Sequence, residues 1–312
     1  MRITTFQQLE EICLKRNKNI YEVMMTSETH SGENTEYHTR LQATRSLFAM
    51  NNAINVGLKS TETSISGMSG DNCAKLQENF GKNKSLFTPT LQKIMTYALA
   101  ISEENVRMGT IVACPTAGSC GIVPSVIISY AQDNNISQDE QINALITAGA
   151  IGKIVALKLP LAGAVGGCQA ECGVASAMAS GALTQMRGGN VSQIINSVGL
   201  ALKNILGLTC DPVCGLVEIP CIKRNAFLAI HAVTASELAM ADIVSMIPTD
   251  EIVDAMAQTA QLMSPLLKES AKGGLAKTKT AIELERNKSM YSLKPQHEFK
   301  TFQCTSSIFQ ND

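Results

Sequence analysis

The chain has 312 residues, of which 45% are hydrophobic; Lys and Arg total 26 against 27 for Asp and Glu, a net charge of -1. So even a balance offers no field to draw in nucleic acid or an acidic membrane, and the apolar share is ample for a buried core in one domain or two. The opening Met-Arg-Ile-Thr-Thr-Phe lacks the apolar stretch of a signal peptide. A cytoplasmic chain is expected, whose ten cysteines are core residues or metal ligands rather than disulfides.

Periods of 3.6 dominate and strict alternation is scarce, which predicts an all-α, multi-helix domain. Aromatics are only 4% and there is no Trp, so the helices must meet through small side chains, with Met as filler. Thr5 and Gln8 have the spacing of a capping box, opening a helix to about Arg16. A second helix is predicted from about residue 27 to 56, burying Leu41, Phe48, Met50 and Ile54. Residues 59–71 are too rich in Ser, Thr and Gly for a regular element and read as a surface linker or a substrate loop. After a helix over 89–102, residues 114–124 bring glycines and hydroxyls to the start of a helix at 125–131. That is the composition of an anion site made from free N–H groups and a helix dipole.

Helices recur at about 138–157, 174–187, 191–206, 222–246 and 250–268, with Thr249 as N-cap of the last. Residues 142–165 are apolar, but they include Lys153, Lys158, Gly and Pro, so a buried helix and turn fits better than a membrane span. From 289 the helical period is lost. Residues 1–288 are expected to form the domain and 289–312 a loosely ordered tail.

Two motifs carry chemistry, Gly166-Gly-Cys-Gln-Ala-Glu171 and Cys210-Asp-Pro-Val-Cys-Gly-Leu-Val-Glu-Ile-Pro-Cys221. Thiolates in glycine- and proline-bearing turns between apolar helices suit a soft metal centre kept dry. Spacing alone leaves core packing equally open for Cys168, Cys210 and Cys221. The pairs 168/172 and 210/214 could form a four-thiolate zinc site, although a large helical protein has no need of such a staple. The radical S-adenosylmethionine motif would require a cysteine at position 175, which is Ala175. Cys13, Cys73 and Cys120 read as core, as does Cys114 despite its place beside the hydroxyl-rich loop.

Together with the Ile-Lys-Arg-Asn that follows Cys221 and with Gly273-Gly-Leu-Ala276, these motifs resemble the alpha subunit of the iron–sulfur-dependent L-serine dehydratases, over about residues 1–285. The resemblance implies a [4Fe–4S] cluster buried among the helices and held by Cys168, Cys210 and Cys221, with Cys172 and Cys214 outside the ligand set. Three ligands leave one iron open as a Lewis acid. Serine's hydroxyl would bind there while a base removes the α-proton, and elimination followed by hydrolysis would give pyruvate and ammonia. The family's Pro-Thr-x-Gly loop falls on Thr116, Gly118 and Ser119, which become candidates for the substrate carboxylate; the plain alternative is a helix-capping turn.

Lys223, Arg224 and Asn225 either tune the cluster or meet the carboxylate, or else merely start a solvated helix. No base is assigned within the chain. His30, His38 and His297 lie in polar flanks, and His231 reads as a satisfied core histidine. In the family a Ser- and His-bearing motif belongs to a beta portion, so the resemblance implies a separate beta subunit. Cys304 reads as an unpaired tail thiol, although a terminal cysteine caps the open iron in some fused relatives. Two competing readings are an L-cysteine desulfidase of similar build and a non-catalytic iron–sulfur sensor, which would need no amino-acid pocket.

Overall fold

The computed structural model describes residues 2–31, 35–82 and 85–291, and among these the only β pairing is two isolated bridges, Thr63 to Gly70 and Cys210 to Lys268. Helix α1 (Phe6–Arg16) starts where the Thr5 hydroxyl accepts from the Gln8 N–H at 3.1 Å. The expected capping box is half present, because Gln8 Oε1 accepts from Thr4 rather than from Thr5. Asp250 supplies the rest from far along the chain, accepting from the Phe6 and Gln7 N–H groups.

The single helix expected over 27–56 is in fact two, α2 (Ile20–Ser31) and α3 (Glu36–Gly57). Thr35 is extended and caps α3 through the His38 N–H, the geometry that ends one helix and begins another. α3 buries Ala43, Leu47, Met50 and Ile54, whereas Phe48 is 77% exposed and Leu41 half-buried. Phe48 follows Leu47 by about 100° of helical turn and so leaves the buried stripe. α4 (Asn72–Lys82) carries no local cap; the buried Glu103 accepts from its first N–H groups, Asn72 at 2.7 Å and Cys73 at 3.3 Å.

The remaining helices are α5 (Pro89–Val106), α6 (Ile122–Asn134), α7 (Gln138–Ala156), α8 (Gly163–Gly166), α9 (Val174–Met186), α10 (Val191–Lys203), α11 (Cys221–Met240), α12 (Thr249–Leu262) and α13 (Lys279–Tyr291). α11 and α12 stop six residues short of their expected ends, α12 where Ser264 and Pro265 turn the chain. Thr249 is the first residue of α12 rather than its cap, and its hydroxyl donates to Ile195 O on α10. α13 carries the helix past 288 to Tyr291; the rest of the expected tail, with His297 and Cys304, lies outside the described residues.

α9 is the centre of the bundle. Every residue from Val174 to Thr184 is buried, and α6, α7, α10 and α11 pack around it. Its alanines and Gly181 let neighbouring backbones approach closely; a Cβ on Gly181 would run into Ile151 of α7. The hydroxyls along α9 are all spoken for, Ser176 by Leu228 O, Ser180 by Ser197 O and Thr184 by Ser180 O. An unpaired buried hydroxyl there would cost about 1–3 kcal/mol. Among the described residues no helix is long and apolar enough to cross a membrane. The start of α9, the start of α11 and the loop before α6 meet at one end of this bundle, where the cysteine motifs lie.

Candidate metal and substrate site

The first motif is shaped by two residues flanking Cys168. Gly167 adopts a left-handed backbone (φ 75°), and a Cβ there would sit 2.8 Å from Met263 Sδ and 3.0 Å from Leu208 O. Gln169 is fully buried and staples the segment leading to Cys210, accepting from Gly207 N–H at 2.9 Å and donating to Met256 O at 3.3 Å. A π-helical turn, Gln169–Gly173, then delivers Glu171 and Cys172 before α9 begins.

The second motif is strapped from outside. Cys210 donates its N–H to Leu267 O at 2.9 Å and accepts from Glu269 N–H at 2.6 Å. Asp211 pairs with Arg224 at 2.9 Å and accepts from Leu275 N–H at 2.9 Å. This last bond explains Gly274: its φ is +56°, and a Cβ would lie 2.5 Å from Asp211 Oδ2. Cys221 opens α11 after a cis Ile219–Pro220 bond. Cys214 has a left-handed backbone within a short 3-10 turn.

Cys168, Cys210 and Cys221 converge at 1%, 3% and 8% exposure. Burial and then the charges of Glu171 and Cys168 push the Cys210 thiol far above its ordinary value. Burial, then Cys168 and Glu171, raise Cys221 to about 12. Cys168 moves the other way, because a hydrogen bond from Cys172 and the nearby Arg224 guanidinium favour its thiolate over the pull of burial. Arg224 also donates to Thr209 O at 2.8 Å. Burial alone would weaken its charge, but Cys168 and Asp211 outweigh that.

Glu171 joins these thiols to the hydroxyl-bearing loop. Its Oε1 accepts from Cys210 Sγ at 3.6 Å and its Oε2 from Thr116 Oγ1 at 2.8 Å. Burial raises its carboxyl above the usual range, with Thr116 opposing and Glu269 adding to the rise. Gly163 leaves the space for this contact, since a Cβ there would fall 2.5 Å from Glu171 Oε1 and 2.9 Å from Cys210 Sγ.

Thr116, Gly118 and Ser119 thus lie beside the thiols, in and just before the 3-10 turn Ala117–Ser119. Ser119 is fully buried and its hydroxyl donates to Cys114 O at 3.0 Å, closing the turn. Among the described residues, the Ala117 and Gly118 N–H groups have no protein acceptor. Asn225 ties the turn to α11, donating to Gly118 O at 2.8 Å and accepting from Gly121 N–H at 2.9 Å. Of the Lys223-Arg-Asn run, Arg224 and Asn225 reach the site and Lys223 is exposed.

His231 is half-buried on α11, bonded to Ser176 Oγ at 2.8 Å, and fits the reading of a satisfied core histidine. Cys13, Cys73, Cys114 and Cys120 are buried, as expected of core thiols. Nothing local in the sequence marks Glu171 as a carboxylate that meets a thiol 39 residues away.

A helical bundle with buried thiols from three segments, set against a turn with free N–H donors, brings together the donor types that soft metals and anions use. Residues 15–276 match the family described as serine dehydratase alpha chain. The chain is 42% identical over 280 residues to the probable L-serine dehydratase, alpha chain, of Bacillus subtilis, covering 90% of this chain and 93% of that one. It is 35% identical over 285 residues to the L-serine dehydratase, alpha chain, of Peptoniphilus asaccharolyticus, covering 91% and 98%. With the L-serine dehydratase of Helicobacter pylori it shares 36% identity over 282 residues, 87% of this chain but 61% of that longer one. The chain belongs to the serine dehydratase alpha chain family.

Proposed function

We propose that the chain is the cluster-bearing alpha subunit of an L-serine dehydratase, a lyase that eliminates water from L-serine and releases pyruvate and ammonia. The observation that carries this reading is the meeting of Cys168, Cys210 and Cys221 with Glu171 and the Thr116 turn. The donor set suits an iron–sulfur cluster: three buried thiols, a guanidinium beside one of them, and at Gly163 a hollow that a single Cβ would fill. Among the described residues no three His, Cys, Asp or Glu side chains close on a single-ion position.

When bound through three cysteines, a [4Fe–4S] cluster supplies an open iron that acts as a Lewis acid on the substrate hydroxyl. The rest is the work of the chain. Cys210 and Cys221, held protonated by burial, must give up protons as they become ligands. Glu171 keeps the thiol segment and the Thr116 turn in register. The unpartnered N–H groups of Ala117 and Gly118, with Thr116, Gly118 and Ser119 shaping the turn, suit the carboxylate of L-serine.

The base belongs to a beta subunit in this reading. The relatives named alpha chain are covered over 93% and 98% of their length, whereas the Helicobacter pylori relative is covered over 61%. A separate partner would supply what that longer chain carries in one piece. No disulfide joins the nine described cysteines, which suits a reducing cytoplasm.

The test is anaerobic reconstitution with iron and sulfide, followed by spectroscopy with and without L-serine. Loss of the four-iron signature in Cys168→Ala, Cys210→Ala and Cys221→Ala, its retention in Cys172→Ala, and pyruvate formation once the partner is added are the expected results. A wild type that takes up no cluster, or three variants that all keep it, would remove the assignment. Faster release of sulfide from L-cysteine than of ammonia from L-serine would move the activity to a desulfidase.

A further inference from the structure

The serine-rich stretch after α3 is held by one carboxylate. Ser64 Oγ and Ser69 Oγ donate to Glu218 Oε2 at 2.7 and 2.5 Å, and Ser66 Oγ donates to Glu218 Oε1 at 2.6 Å. Glu218 is 4% exposed and lies on the segment between Cys210 and Cys221. A hydroxyl has one proton to give, so with all three committed to Glu218 none is left to donate to a ligand. The same oxygens still accept, Ser64 Oγ from Ser69 N–H at 3.3 Å and Ser66 Oγ from Met68 N–H at 3.1 Å. The loop is therefore knitted together through the side chains that Glu218 anchors.

Other contacts set the loop beside the Thr116 turn. Arg107, just past the end of α5, donates to Glu62 O at 3.3 Å, while Asn105, in the last turn of α5, donates to Ala117 O at 3.3 Å. Val217, next to Glu218, lies so near Gly118 that a Cβ there would be 3.1 Å from Val217 Cγ1. A surface linker has no use for such fixing. Burying a carboxylate is costly, and charge-assisted bonds offset that cost only by holding the loop in one place.

We propose that Glu218 is a positioning residue, which fixes the serine-rich loop as a wall of the substrate pocket and governs affinity for L-serine without holding the cluster. The proposal rests on the dehydratase reading above. The test is Glu218→Gln in the cluster-loaded complex of this chain with its partner subunit. Iron content and cluster absorbance should match wild type, and amide hydrogen exchange at Ser64, Met68 and Ser69 should quicken. KM for L-serine should rise about tenfold, with kcat within about threefold of wild type.

Ser66→Ala removes one anchor at a partly exposed position and should shift KM the same way by less; if Glu218→Gln does not fold, Ser66→Ala carries the test. An unchanged KM in a folded, active variant, or cluster loss in step with the rise in KM, overturns the proposal. A wild-type complex that holds its cluster yet turns over no L-serine overturns instead the dehydratase reading, and the two failures are told apart by the wild-type assay alone.

Discussion

Asn225 clasps Gly118 across 107 residues of chain, donating Nδ2 to its carbonyl at 2.8 Å while Oδ1 accepts from the Gly121 N–H at 2.9 Å. The same Nδ2 donates to Cys221 O at 3.0 Å. One amide thus sets the spacing between the Cys221 segment and the turn that carries the free N–H groups. Asn225→Asp keeps the acceptor, loses both donated bonds and sets an oxygen against two carbonyls. Stability should fall by about 1–3 kcal/mol for the unpaired buried groups, read as a lowered melting temperature. KM for L-serine should rise in the same variant.

Gly163 should prove as necessary as a ligand cysteine. Its Cβ in Gly163→Ala would strike Glu171 and Cys210, so cluster uptake on reconstitution should fall steeply while helix content by circular dichroism stays at wild type. Full iron loading in this variant would show that the Glu171–Cys210 contact is dispensable.

Gly149 offers the opposite case within α7. Nothing lies within 4 Å of a Cβ built there, so Gly149→Ala should stabilise the chain by about 0.5–1 kcal/mol through helix propensity. Thermal or denaturant unfolding checks the sign, and a destabilised variant would mean that α7 packs more tightly than the structure shows.

His231 should make stability depend on pH. Burial lowers its pKa from the ordinary 6.5, so below that value the unfolded chain takes up a proton that the folded chain refuses. Stability from this group is complete above pH 6.5, is lost as the pH falls through the window beneath it, and levels off once the folded form is protonated too. Melting temperatures of wild type and His231→Gln should converge as the pH drops from neutral toward 5. Parallel curves would assign the acid sensitivity elsewhere.

An open iron should be prone to oxidative loss. Exposure of the loaded complex of this chain with its partner subunit to air should bleach the cluster absorbance and abolish activity together, with both restored by iron, sulfide and a reductant. Absorbance and activity that survive air would contradict an open coordination site.

Local order along the chain determined much by itself. The helical class, the starts of α5 and α7 and the irregular 59–71 stretch all depend on period, caps and composition within a few residues, where sequence and conformation are directly linked; the grouping of Cys168, Cys210 and Cys221, left open by spacing alone, came from the family resemblance. What escaped was set at a distance. α4 is capped by Glu103 and α1 in part by Asp250, so no neighbour in sequence announces either feature. The 27–56 stretch reads as one helix only when Gly32 and the Thr35 cap, local break signals within a polar run, are passed over. In the site, Glu171, Asn225 and Glu218 are ordinary polar residues until packing brings them to Cys210, Gly118 and three serines. Chemistry written in residue types can be read along the chain, but which hydrogen-bond donor meets which acceptor is decided only when the helices close on one another and water is excluded.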